Sequence, residues 1–85
     1  MEELTILGVL LTDRIEEATD VQEVLTKYGC NIKTRLGMHE TGQAHCSKKG
    51  VIILELIGEK KEREALEKAL KDIKGVHVKK MFFEF

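Results

Sequence analysis

His39, His45 and Cys46 are the residues whose types could do the most distinctive chemistry. Imidazole and thiolate are the ligands that Ni, Zn, Co or Fe would choose. The spacing H-x5-H-C is not a standard zinc pattern. Adjacent His45 and Cys46 would have to fold back on one ion, and a fourth ligand would come from water or a neighbouring subunit. The competing reading is a polar hairpin tip whose donors meet solvent. A polar cluster carried on a loop is a modest pointer to function, so a transition metal is the candidate cofactor.

A second set could meet an anionic or amino-acid-like ligand. Asp13 and Arg14 could line a crevice at a subunit interface, or simply cap a helix and pair charges. Arg35 and Lys33 could meet an anion on the sheet, or keep an edge strand soluble. Cys30, at a helix-to-strand junction, reads as a buried and inert thiol. His77, between Val76 and Val78, reads as a surface or cross-strand residue. Ser47 has no local base partner. No nucleophile elbow, P-loop, paired carboxylate or metalloprotease motif is present. The expectation is a protein that is not an enzyme.

The elements that position these residues follow from periodicity. Leu4 to Thr12 is apolar on both parities, which predicts a strand needing cover on both faces. Helices can cover one face; in 85 residues the other should meet a second subunit. Asp13 is a candidate N-cap, with Glu16 completing a capping box. Ile15, Ala18, Val21, Val24, Leu25 and Tyr28 form a helical stripe, opposite Glu16, Glu17, Gln22, Glu23 and Lys27. Gly29 is expected as the left-handed helix stop.

The long hairpin Asn31 to Ile57 follows. In its first strand Ile32, Leu36 and Met38 should point one way, and Lys33, Arg35 and His39 the other. Gly37 is the expected bulge or close approach. The tip runs from Glu40 to Gly50. Val51 to Ile57 is a central strand. Glu59 to Lys74 is a helix buried along Leu66, Ala69, Leu70 and Ile73, with i,i+4 pairs Glu59–Arg63, Glu64–Lys68 and Glu67–Lys71. Gly75 ends it. Val76 to Phe85 is the last strand; its shift of apolar parity predicts a bulge or an end covered on both faces. The order is β-α-β-β-α-β. It predicts an α+β, ferredoxin-like sandwich, a four-stranded antiparallel sheet with two helices on one face, forming one domain over 1–85.

Composition bounds the partners. A net charge of -1 argues against direct nucleic-acid binding, which needs excess cations against phosphates. Met1-Glu2-Glu3 opens no signal peptide, and no apolar run approaches the ~20 residues that span a bilayer. A cytoplasmic location with free thiols is expected.

Asp13-Arg14, the helix after it, and Tyr28-Gly29-Cys30-Asn31-Ile32 resemble the ACT regulatory domain, with Ile15-Glu16 in place of Pro-Gly. Arg35-Leu36-Gly37, Ile52-Ile53-Leu54 and Gly75-Val76-His77-Val78-Lys79 resemble a small ACT-like family labelled iron-only hydrogenase system regulators. That family is related in fold to the C-terminal domain of the nickel-responsive repressor. The repressor's nickel site uses a His, a His-x-His and a Cys across an interface. Here only His39, His45 and Cys46 are available.

The resemblance implies a homo-oligomeric (dimer or tetramer) regulatory or sensor protein with a ligand at a subunit interface. It also implies a protein partner and hydrogenase-linked regulation. The first rival is a ligand-free assembly module whose open sheet face carries Leu7, Val9 and Leu11. The second is a metal-binding protein using the hairpin tip.

Overall fold

The computed structural model describes residues 1–38 and 48–85. Its elements are β1 (Glu3–Leu11), α1 (Arg14–Lys27), a 3-10 turn (Gly29–Asn31), β2 (Ile32–Met38), β3 (Gly50–Leu56), α2 (Lys60–Lys71) and β4 (Val76–Glu84). The sheet is antiparallel in the order β2-β3-β1-β4. This is the expected ferredoxin-like α+β sandwich, with the two most apolar strands, β1 and β3, at its centre. Both helices pack on one face.

The core is built by alternation. In a strand successive side chains leave opposite faces, so the helices claim one parity of each strand. Leu7, Val9 and Leu11 from β1 and Leu54 and Leu56 from β3 are buried against Val21, Leu25, Leu66 and Leu70. The other parity faces away from the helices. Register puts Ile6 beside Glu55 and Met81, and Leu10 beside Val51 and His77. Among the described residues, the face away from the helices carries Leu4, Ile6, Leu10, Val51, Ile53, Leu36, Met81 and Phe83. Leu7, Val9 and Leu11, expected on the open face of an assembly module, lie instead on the helix side. A strand apolar on both parities leaves that choice to the crossover geometry.

Other expectations are corrected. The bulge in β2 falls between Ile32 and Thr34 rather than at Gly37. It flips the parity, so Ile32 packs on the core while Leu36 is on the far face, 55% exposed. β4 has no bulge: it pairs with β1 without interruption from Val76 to Glu84. Its aromatic end is exposed rather than covered. Gly29 has no positive φ and opens the 3-10 turn; positive φ among the described residues belongs to Gly58 and Gly75.

Two contacts tie the chain reversals together. Asn31 is buried and its side-chain amide donates to Ile57 O at 3.3 Å, while Ile57 N–H donates to Asn31 O at 2.8 Å. Gly58, at φ +93°, leaves room for that amide: a Cβ there would sit 2.5 Å from Asn31 Nδ2.

Candidate functional site

Among the described residues, Asp13, Arg35 and Arg63 each line a different groove beside the helices. The first lies where β1 turns into α1. Asp13 caps the helix, its Oδ1 accepting from Ile15 N–H at 3.2 Å and Glu16 N–H at 3.3 Å. The reciprocal half of the cap comes from Glu17 and not from Glu16: Glu17 Oε1 accepts from Asp13 N–H at 3.1 Å. The Thr12 hydroxyl has one proton to share between Gly75 O at 2.8 Å and Glu17 Oε2 at 3.1 Å. Glu17 is consequently buried, and the helix presents Glu17, Val21 and Leu25 inward. Ile15, expected in the buried stripe, is 73% exposed. Gly75 makes this possible. Its φ is +85°, and a Cβ on it would lie 1.8 Å from Glu17 Oε2.

Arg14 N–H donates to Lys48 O at 2.7 Å, and the Arg14 stem lies against Gly50 at the start of β3. Asp13 thus lines an acidic groove of about 670 Å³ with Glu16, Glu17, Asp20 and Asp72. Among the described residues, no three His, Cys, Asp or Glu side chains converge closely enough to hold a metal ion. That groove is acidic without being a cation cage.

Arg35 belongs to the second groove, between α1 and edge strand β2, about 450 Å³ and floored by Leu11, Val21 and Ile52. Its guanidinium donates to Gln22 Oε1 at 2.8 Å. Gln22 lies two turns along α1 from Arg14, about 12 Å at 1.5 Å per residue. Asp13 and Arg14 are neighbours, and Arg35 stands apart from both. Lys33 sits at the bulge, 3.9 Å from Glu55.

The third groove, about 240 Å³, runs between α2 and β4. Thr5 and Phe82 line it, with Lys60, Glu64, Glu67 and Lys80 around them. Arg63 closes its inner end. It is buried, donating to Thr5 Oγ1 at 2.8 Å, Glu3 Oε1 at 2.6 Å and Gly58 O at 3.1 Å. Glu67 accepts from Lys71 at 2.8 Å and Lys80 at 3.3 Å. Burial acts to raise the Glu67 carboxyl, but the hydrogen bonds and charges of Lys71 and Lys80 outweigh it and hold it below its ordinary value.

Neither Glu17 nor Arg63 was anticipated from the sequence. A signal was there: Glu17 stands at i-4 and i-8 from Val21 and Leu25, and Arg63 at i-3 and i-7 from Leu66 and Leu70. Of the expected i,i+4 pairs only Glu67–Lys71 is among the ion pairs formed; Arg63 turns to Glu3, and Lys68 pairs with Asp72.

His39, His45, Cys46 and Ser47 lie outside the described residues. Cys30, expected to be buried, is exposed on the 3-10 turn. His77 is exposed on β4, opposite Leu10. No described helix is long and apolar enough to cross a membrane.

No family model and no curated protein matches the chain. Among solved structures it is similar to an uncharacterized protein from Thermotoga maritima, 26% identical over 98% of this chain and 100% of that one, TM-score 0.81. A nitrogen regulatory PII-like protein from Thiomonas intermedia K12, solved with ADP, AMP and bicarbonate, is 14% identical over 99% of this chain and 96% of that one, TM-score 0.59. A formyltetrahydrofolate deformylase from Pseudomonas putida is 13% identical over 92% of this chain but only 28% of its own length, TM-score 0.58. The fold is thus one shared by regulatory and metabolic proteins.

Proposed function

We propose that this protein is a small, non-catalytic, homo-oligomeric regulatory or sensor protein in which residues 1–85 form a single domain. A small ligand or a metal binds it at a subunit interface, and binding biases association with another copy or a protein partner. The observation that carries this reading is that, among the described residues, only one side of the sheet is covered. Leu4, Ile6, Val51 and Ile53 are half-buried, and Leu10, Leu36, Met81 and Phe83 exposed, on a face no described helix reaches. So much apolar surface on so small a chain marks an interaction site.

Asp13 and Arg14 at the start of α1 are the proposed ligand residues, with Arg35 a second contact on the α1–β2 groove. His39, His45 and Cys46 are the proposed metal ligands at the hairpin tip. The ACT-like resemblance supports a role in hydrogenase-linked regulation, and the opening Met1-Glu2-Glu3 supports a cytoplasmic location. The same apolar face also favours a second reading, a ligand-free assembly module.

Thermal unfolding separates these readings. The purified protein is screened with Ni, Zn, Co and Fe(II) ions and the common amino acids, beside Asp13→Ala and His39→Ala/Cys46→Ala. A ligand at about 100 times its dissociation constant adds roughly 2.7 kcal/mol if it binds only the folded state. A metal shift lost in the double variant places the sensor at the hairpin tip. An amino-acid shift lost in Asp13→Ala places it at the β1–α1 turn. An oligomer with no shift from any compound leaves the assembly module.

A further inference from the structure

The two edges of the sheet are built differently. β2 is short, bulged at Lys33 and lined by Lys33 and Arg35. The bulge is what disfavours addition of another strand at β2, since β4 carries cations of its own at Lys79 and Lys80. β4 is nine residues long and regular, and it ends in Met81, Phe82 and Phe83, 55%, 47% and 46% exposed.

The free backbone of β4 can be assigned. Phe85 and Glu2 exchange both backbone hydrogen bonds, and at the other end Thr12 N–H donates to Gly75 O. Bonded residues alternate along an antiparallel strand. Phe83, Met81, Lys79 and His77 therefore face β1, and the N–H and C=O groups of Glu84, Phe82, Lys80 and Val78 face outward along the edge.

We propose that two copies of this chain join through β4, antiparallel about a two-fold axis at Phe82, into one eight-stranded sheet. In this register Phe82 opposes the partner's Phe82, and Lys80 opposes the partner's Glu84 twice. All are outward-facing residues, so each forms a hydrogen-bonded pair. Met81 opposes the partner's Phe83 on the uncovered face. Opposite charges directly across strands are favourable and like charges are not.

The neighbouring registers lack this fit. Centred on Met81, Lys80 meets Phe82 and Glu84 meets Val78. Centred on Lys80, the two copies of that lysine collide. Glu84 has no ion-pair partner among the described residues of its own chain, and Phe82 flanks a groove no apolar side chain of α2 fills. Pairing gives both a partner, and it continues the uncovered apolar face across two subunits.

The inference rests on the homo-oligomer reading and names one of its interfaces. Its test is sedimentation velocity of the wild-type chain, Glu84→Lys, Lys80→Glu and their equimolar mixture, with native mass spectrometry of the mixture. Each variant alone should associate about tenfold more weakly, two ion pairs having become like-charge pairs; because Lys80→Glu also loses the Glu67 contact, thermal unfolding confirms that it is folded. The mixture should recover as the heterodimer. Phe82→Pro is the independent variant. It deletes an outward N–H while leaving the β1 ladder whole, a position where an edge strand tolerates proline, and it should lower the stoichiometry of a still-folded protein. An oligomer unchanged by Phe82→Pro and by both charge variants, or a mixture that fails to recover, overturns the β4 interface and leaves the homo-oligomer reading standing. A wild-type chain that stays monomeric at its solubility limit overturns both.

Discussion

Both faces of the sheet carry aliphatic side chains, and they differ in what covers them. On the helix side Leu7, Val9, Leu54 and Leu56 are 0–3% exposed. On the other side Leu10 is 36%, Leu36 55%, Met81 55% and Phe83 46% exposed. Ile53 and Leu54 are consecutive residues of one strand, yet they sit in different environments. Apolar content sets how much surface needs cover, while the crossover topology sets which half the helices cover. Among the described residues the other half has no such cover.

Substitutions on the two faces should therefore behave differently. Leu54→Ala, fully buried, should cost about 2–5 kcal/mol in urea unfolding, through lost transfer energy and a residual cavity. Ile53→Ala should cost under about 1 kcal/mol when unfolding is followed at concentrations too low for association. Equal losses at both positions would erase the distinction between the faces.

Arg63 sharpens the comparison, because the covered face holds a charge. Arg63→Met removes the donor to Thr5, Glu3 and Gly58 at once. It should cost about 2–3 kcal/mol, less than a fully buried pair because Glu3 is partly in water. Gly75→Ala should cost about 1–3 kcal/mol from the left-handed backbone, and it also displaces the Glu17 carboxylate. Thr12→Val alongside would show how much of that loss is the turn network.

The smallest effect is in pH. Glu67 has a folded pKa below its unfolded value, so its contribution is fully present above the unfolded pKa and fades as pH falls through the folded one. Glu67→Gln should therefore remove a small part of the stability lost on acidification below about pH 4.3. Urea midpoints measured at neutral and acid pH would check it. The groups facing Glu67 are Lys71 and Lys80.

Much of the architecture was legible because strong local signals agreed. β1 and β3 announced themselves as central by apolar runs, α2 by its stripe, and Gly75 by its place after it. What was not legible depends on partners distant in sequence. Glu17 and Arg63 occupy buried helical positions, but their charge argues for solvent until Thr12, Gly75, Glu3 and Thr5 are seen beside them. The Lys33 bulge comes from fitting β2 to β3, and without it Ile32 and Leu36 seem to share a face. Cys30 follows an amphipathic helix, yet the 3-10 turn leaves it exposed. Of the site, Asp13 was legible as a cap, while the separation of Arg35 from Arg14 is a matter of tertiary geometry.

The most direct test of the uncovered face is sedimentation equilibrium of the wild-type chain beside Ile53→Lys, at matched concentrations, with thermal unfolding as a check on folding. The wild-type chain should form a reversible oligomer, and Ile53→Lys should be folded with lower stoichiometry or much weaker association. A wild-type monomer throughout, or an Ile53→Lys protein that assembles as the wild type does, would contradict it.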